Sequence, residues 1–112
     1  MCAVTVAGQQ LLAAGDGDGT VRIWDPQTGK QRAILNGHRG EVNGLCPVTV
    51  AGHQLLASAS DDGTVRIWNP ETEACLLTVP THHAAFAVEW VGEALVIGLA
   101  AGILVIKPNA AV

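Results

Sequence analysis

Three side chains in the middle of the chain belong to the residue types that acyl transfer uses. His38 could act as a base for Ser58 or Ser60, and Asp62 could orient the imidazole. A catalytic triad also needs an exposed nucleophile beside an oxyanion hole. Here both serines lie in an apolar run, and Asp62 lies in a turn-forming segment that the chain repeats. We therefore interpret this set as structural rather than catalytic.

Two other groups contain residues that bind ions in many proteins. Cys75, His82 and His83 are metal-ligand types, but adjacent residues on an extended chain point in opposite directions. The glycine-rich segment Gly15–Gly19 has neither the following helix of a phosphate loop nor the spacing of a calcium loop. The sequence predicts no metal site and no cofactor.

The chain repeats itself with a period of 44 residues. Val4–Gly29 and Val48–Glu73 are identical at 18 of 26 positions, including the heptapeptide Asp-Gly-Thr-Val-Arg-Ile-Trp at Asp18–Trp24 and Asp62–Trp68. A period of roughly 40 to 45 residues is typical of the four-stranded blades of a propeller. Short apolar runs between glycine and proline turns predict eleven strands and no helix.

The pairs Gly37-His38 and Trp24-Asp25 are further marks of one repeat family. With the period of 44, they make the chain resemble the WD-repeat (WD40) β-propeller family over nearly its whole length. The resemblance implies an all-β fold, with blades of four antiparallel strands in a ring that one chain leaves incomplete. We expect a single domain, 1–112, made of blade one (1–36), blade two (37–80) and a degenerate blade three (81–112).

In this family a blade is often held by four side chains that are hydrogen-bonded in series: a His in the link between blades, a Ser or Thr on the second strand, an Asp in the following turn and the Trp of the third strand. Blade two matches that pattern with Trp68, Ser58, His38 and Asp62, although Ser60 is an alternative to Ser58. The resemblance therefore implies that these side chains stabilise blade two.

The other two blades match the pattern less well. Blade one keeps Asp18 and Trp24 in the network but has Ala14 in place of the serine. Blade three keeps His82 and has Ile97 in place of the serine. Packing is therefore expected to hold blade three together.

One turn differs between the two copies in a way that affects the backbone. Gly29 ends the turn that begins at Asp25, and glycine tolerates positive φ there. Glu73 occupies the same position in the second copy. If the backbone is unchanged, Glu73 carries strain of roughly 1 kcal/mol.

The resemblance also predicts how the chain functions. One rim of a propeller commonly binds proteins or peptides, and the matching positions here are Gly17, Arg39, Glu41, Asp61 and His83. The first hypothesis is a non-catalytic interaction or scaffold module. The similarity to bacterial WD-repeat arrays implies the sensor or partner-binding end of a longer signalling protein.

The alternative hypothesis is a propeller-type hydrolase with a site in the central channel. Such a site needs titratable side chains that converge, and the predicted inner strands contribute Glu89 as their one candidate.

Composition narrows the classes of partner and location. The net charge is −4 and the six basic residues are scattered, which argues against nucleic acid and anionic membranes as partners. The N-terminal sequence lacks the pattern of a secretory signal. Three cysteines without a paired spacing favour free thiols in a reducing compartment. We expect a cytoplasmic protein.

An incomplete ring leaves apolar sheet faces uncovered. We therefore expect a homo-oligomer, with a six-bladed cyclic dimer favoured over a nine-bladed trimer because rings typically have about four to eight blades. The alternative is a fragment of a longer propeller chain.

Overall fold

Short runs of apolar and β-branched residues form strands in the computed structural model of the chain, which describes residues 2–6, 8–50, 52–99 and 102–107. These ranges contain eleven strands and no helix. The strands are β1 (Cys2–Val6), β2 (Gln9–Gly15), β3 (Val21–Trp24), β4 (Gln31–Leu35), β5 (Val42–Val50), β6 (His53–Ser60), β7 (Thr64–Asn69), β8 (Ala74–Pro80), β9 (Ala85–Val91), β10 (Ala94–Leu99) and β11 (Gly102–Ile106).

Consecutive strands pair antiparallel into three separate sheets. Sheet one contains β1 to β4, sheet two contains β5 to β8, and sheet three contains β9 to β11. The predicted all-β fold, with four-stranded antiparallel blades in an incomplete ring, is confirmed. Residues 108–112 of the predicted third blade lie outside the described ranges.

Two apolar layers hold the three sheets together. Side chains alternate between the faces of a strand, so one strand contributes to two layers. The buried residues between sheets one and two are Val4, Leu11, Ala13, Val21, Ile23, Leu35, Val42, Leu56 and Trp68. Those between sheets two and three are Cys46, Val48, Ala57, Ala59, Val65, Ile67, Ala85, Val88, Leu95 and Ile97. Within the described residues, sheet two is covered on both faces and the other two sheets on one.

The turn after β7 keeps the backbone of its counterpart after β3. Gly29 has a φ of 71° and Glu73 a φ of 63°. Each residue donates its backbone N–H to the carbonyl four residues earlier, at 2.8 Å in both turns. Glu73 therefore occupies the left-handed region that favours glycine.

Replacing Glu73 by Gly is expected to stabilise the chain by up to about 1 kcal/mol, because the left-handed strain disappears while the flexibility of glycine in the unfolded chain offsets part of the gain. Gly29→Glu is the matched reverse variant, since no atom lies within 4 Å of a Cβ built on Gly29. It should lower stability by a similar amount. Urea unfolding measures both, and a loss of stability in Glu73→Gly would contradict the assignment of strain.

The segment that connects β8 to β9, residues 81–84, differs from what the repeat predicted. β5 begins at Val42, four residues after His38, and β9 begins at Ala85, four residues after Thr81. Thr81 is 5% exposed, whereas His82 is exposed and has a φ of 63°. Thr81 therefore takes the position that was expected for His82, because this link is one residue shorter than the period of 44 requires. The link is a bend, so the extended-chain argument about His82 and His83 does not apply.

The three cysteines are free thiols: Cys46 is buried, Cys2 is half-buried and Cys75 is exposed. Across the described ranges the chain has no helix of the length and apolar character that crossing a membrane requires.

Candidate functional site

Four side chains around sheet two form a series of hydrogen bonds. Ser58 lies on β6 and Trp68 on β7, while His38 precedes β5 and Asp62 lies in the β6–β7 turn. Trp68 Nε1 donates to Ser58 Oγ at 2.8 Å. Ser58 Oγ lies 2.6 Å from His38 Nε2, and His38 Nδ1 lies 3.0 Å from Asp62 Oδ2. The structure thus brings together the four residues that the sequence indicated.

The direction of these bonds follows from the Asp62 carboxylate, which can only accept, and from the indole, which can only donate. His38 Nδ1 must therefore carry the proton of the neutral imidazole and donate it to Asp62. His38 Nε2 is then unprotonated, so Ser58, which accepts from Trp68, donates its own proton to that nitrogen. One tautomer of His38 satisfies the whole series.

The ionisation of the two titratable members agrees with this direction. Burial lowers the pKa of His38 and outweighs the opposing effect of the Asp62 carboxylate. Burial would raise the pKa of Asp62, but hydrogen bonds from Thr64, the backbone of Arg39 and His38 outweigh it and lower the pKa to about 2. At neutral pH the imidazole is neutral and the carboxyl group is ionised.

Ser58 cannot serve as an exposed nucleophile in this arrangement. Its side chain is fully buried, and its Oγ both accepts and donates a hydrogen bond. Ser60, the alternative member, instead donates to the Gly40 carbonyl oxygen at 3.1 Å. The geometry fits a structural network rather than acyl transfer.

Thr64 belongs to the network, and sequence reasoning missed it. Its Oγ1 donates to Asp62 Oδ1 at 2.6 Å and lies 3.2 Å from His38 Nδ1. Thr20 makes the same short bond to Asp18, at 2.7 Å. The signal was available, because Asp-Gly-Thr in both copies is a pattern in which the Asp side chain can bond the backbone two residues later.

Sheet one lacks the corresponding series. The hydrogen bond from Thr20 lowers the pKa of Asp18, and Arg22 pairs with Asp16 at 2.6 Å. Trp24 is 36% exposed, whereas Trp68 is 1% exposed. The structure does not bring Asp18 and Trp24 into one network, because Ala14 has no hydroxyl group to receive the indole proton.

The predicted rim begins where sheets one and two meet. A Cβ built on Gly17 would lie 3.9 Å from Glu41 Oε1, and Asp61 donates its backbone N–H to the Glu41 carbonyl oxygen at 3.0 Å. Asn43, which sequence reasoning missed, donates to Asp61 Oδ1 at 2.7 Å and to the Ala85 carbonyl oxygen at 3.0 Å. The loops of sheets one and two and the start of sheet three therefore meet on one side of the molecule.

The same rim continues toward sheet three. Arg39 is exposed and its backbone donates to Asp62 Oδ2 at 3.0 Å. His83 is exposed and shares an open cavity of about 400 Å³ with Asp61. The residues that line this cavity are Asp61, Asp62, Gly63, Thr64, Pro80, His82, His83 and Ala84. The five predicted rim residues thus occupy one contiguous surface.

A second cavity, of about 430 Å³, lies along the inner strands β1, β5 and β9. Glu89 and Cys46 line it, and burial raises the pKa of the Cys46 thiol to about 12. That thiol is protonated at neutral pH. In the described part of the chain, no group of three His, Cys, Asp or Glu residues could hold a metal ion.

Sequence comparison places these sheets in a family. The model of the "WD domain, G-beta repeat" matches residues 2–25 and 29–69, more than half of the chain. The chain belongs to the WD40 family. The resemblance that the repeat indicated is confirmed, and the matched residues contain the four strands of sheet one and β5 to β7 of sheet two.

Parts of this WD40 chain are similar to known proteins in sequence or in structure. Over 44 residues it is 41% identical to Ribosome assembly protein 4 of Chaetomium thermophilum, covering 39% of this chain and 8% of that protein. The crystal structure of the computationally designed Ika4 protein has a TM-score of 0.76 at 24% identity, over 88% of this chain and 61% of the other. The crystal structure of the WD40 β-propeller domain of Doa1 has a TM-score of 0.77 at 18% identity, over 93% of this chain and 34% of the other. The chain spans less than two thirds of the length of each of these three proteins. At this level of sequence identity, the two solved structures establish the fold alone.

Membership in the family determines a broad class of function. WD40 domains are generally non-catalytic modules that bind protein partners.

Proposed function

We propose that this chain is a non-catalytic protein-interaction or scaffold module whose partner, a protein or peptide, binds the rim formed by Gly17, Arg39, Glu41, Asp61 and His83. The observation that supports the proposal is the contiguity of this rim across three sheets, from the Gly17–Glu41 approach to the cavity beside His83. Loops held on a rigid scaffold are the usual carriers of binding residues.

The charge of the rim favours a basic segment of the partner. Glu41 and Asp61 are exposed carboxylates on this surface, and Arg39 is their one exposed basic neighbour among the rim residues. Asp62 is ionised but its oxygens already accept from His38, Arg39 and Thr64. We propose that a lysine or arginine side chain of the partner pairs with Asp61 at the mouth of the cavity, since complementary charge steers association.

The length of the chain relative to the proteins that it matches bears on its role. The chain spans a fraction of the length of each protein it matches, which agrees with a partner-binding segment of a longer protein. We propose a bacterial signalling protein of the cytoplasm as that longer protein, a choice that rests on the similarity of the repeats to bacterial arrays.

Reversing the charge of Asp61 tests the proposed surface. Peptides selected from a displayed random library by the wild-type chain are expected to be rich in lysine or arginine. Asp61→Lys should weaken their binding by roughly tenfold or more, because a like charge replaces the pairing carboxylate. Calorimetric titration of one selected peptide measures the loss.

Two controls separate binding from folding. The thermal unfolding midpoint of Asp61→Lys should change little, since the residue is exposed and the hydrogen bond that it accepts from Asn43 is exposed as well. His53→Glu introduces a negative charge at an exposed residue at the start of β6. This end of β6 lies on the rim opposite the β6–β7 turn, so the substitution should leave binding unchanged. Loss of binding in His53→Glu but not in Asp61→Lys would show that the opposite rim binds the peptide.

A further inference from the structure

Two sheet faces in the described structure are apolar and uncovered. We call the face of a sheet that is turned toward the next sheet along the chain its trailing face, and the opposite one its leading face. The trailing faces of sheets one and two and the leading faces of sheets two and three form the two buried layers. Among the residues that the structure describes, none covers the leading face of sheet one or the trailing face of sheet three.

The leading face of sheet one repeats that of sheet two. Leu12 pairs with Trp24 across β2 and β3, as Leu56 pairs with Trp68 across β6 and β7. Leu56 and Trp68 are buried against sheet one, whereas Trp24 is 36% exposed. Sheet one thus presents the same Leu and Trp pair that sheet two uses to cover its neighbour.

The trailing face of sheet three repeats those of the other two sheets. Val96 pairs with Val105, as Ala57 pairs with Ile67 on sheet two. Ile67 is 8% exposed beneath sheet three, but Val105 is 57% exposed and its neighbour on the same face, Ile103, is 73% exposed. This face therefore has the apolar pattern of a covered layer without the cover.

We propose that a second copy of this chain covers these faces, with the trailing face of sheet three in one copy packed on the leading face of sheet one in the other. The reason for choosing a second copy is that each molecule carries both halves of an interface that it already builds twice within itself. Such a head-to-tail contact is heterologous and closes into a ring when the rotation allows. The proposal is independent of the partner-binding rim.

The number of sheets limits the size of the ring. The described residues form three sheets, so two copies of these 112 residues give a six-bladed ring, within the range of about four to eight blades that propellers use. Each copy would then bury both of its open faces. For these 112 residues by themselves we therefore infer a cyclic dimer.

The charged residues on the two faces are compatible with this contact. Arg22 on the leading face of sheet one already pairs with Asp16. Arg66 occupies the same repeat position in sheet two, and its Cζ lies 5.9 Å from the centre of the Trp68 ring, beside the covered layer. Glu89 on sheet three lines the cavity of the inner strands, where its carboxylate can stay hydrated.

The mass of the chain in solution tests the proposal. Light scattering at micromolar concentration should give twice the 11.5 kDa of one chain. Val105→Arg on the trailing face and Trp24→Arg on the leading face should each halve that mass. Leu76→Arg, at a residue 54% exposed on the outer strand of sheet two, is the matched control and should keep the wild-type mass.

A mixture of the two face variants gives the sharper result. Val105→Arg keeps its leading face and Trp24→Arg keeps its trailing face, so the mixture should form a one-to-one complex although each variant alone is monomeric. Circular dichroism of each variant should match the wild type. A mixture that stays monomeric beside a dimeric wild type would overturn the head-to-tail contact.

The remaining outcomes are equally informative. A monomeric wild type would overturn the proposal and assign the open faces to other segments of a longer chain or to a different protein. A discrete trimer that both variants dissociate would support the pairing of the faces and overturn the six-bladed ring.

Discussion

Gly19→Ala is expected to destabilise the chain by about 2 to 4 kcal/mol. Gly19 has a φ of 88°, and a Cβ built there would clash with the carbonyl oxygen of His38 and come within 3.1 Å of the Gly40 carbonyl oxygen. Both obstacles are backbone atoms, so a rotamer change cannot relieve them. The left-handed strain adds to the cost of forcing the turn of sheet one away from the link to sheet two.

The same position in the second repeat provides a matched control. Gly63 has a φ of 82°, but the nearest atom to its Cβ would be the His83 carbonyl oxygen at 3.7 Å. Gly63→Ala should therefore cost only about 1 kcal/mol, from the backbone strain alone. Urea unfolding of both variants gives the difference between them. Equal losses would show that the close approach at Gly19 is not energetically important.

Trp68→Phe is expected to cost about 1 to 3 kcal/mol, and His38→Ala a similar amount. Phe removes the indole donor to Ser58, and Ala at position 38 removes both the acceptor of the Ser58 hydroxyl proton and one of the donors to the Asp62 carboxylate. Buried polar groups that lose their partners cost free energy of this size. Thermal and urea unfolding measure the losses.

Trp24→Phe is the control for the tryptophan, because Trp24 occupies the same repeat position. Trp24 is 36% exposed and Ala14 replaces the serine. The loss of stability in Trp24→Phe should therefore be clearly smaller than in Trp68→Phe. Equal shifts of the unfolding midpoint in the two Trp→Phe variants would count against a stabilising network in sheet two.

Local sequence was sufficient to identify the repeated sheets, and the family resemblance indicated four residues of the network, with Ser60 as an alternative to Ser58. The period of 44 residues, the Asp-Gly-Thr turns and the apolar runs recur in both copies, and strand formation and turn geometry depend mainly on such nearby residues. The turn at Glu73 is an example, since its positive φ followed from the glycine at the same position of the first copy.

The choice between the two serines required the tertiary structure. Ser58 and Ser60 are two residues apart on β6, so both side chains point to the same face. Only the distance across the sheet shows that the Trp68 indole reaches Ser58. Asn43 was missed for a similar reason, because its two partners lie 18 and 42 residues away along the chain.

Nearby residues are enough to predict the repeat, the strands and the turns, because strand formation and turn geometry depend on residues close together in the chain. Only the packing of one sheet on the next places Thr81, and not His82, at the buried position before β9. The same packing leaves different space around Gly19 and Gly63, although both glycines lie in the same Asp-Gly-Thr sequence. Both outcomes depend on how one sheet packs against the next, and the residues that set this packing are distant in the sequence.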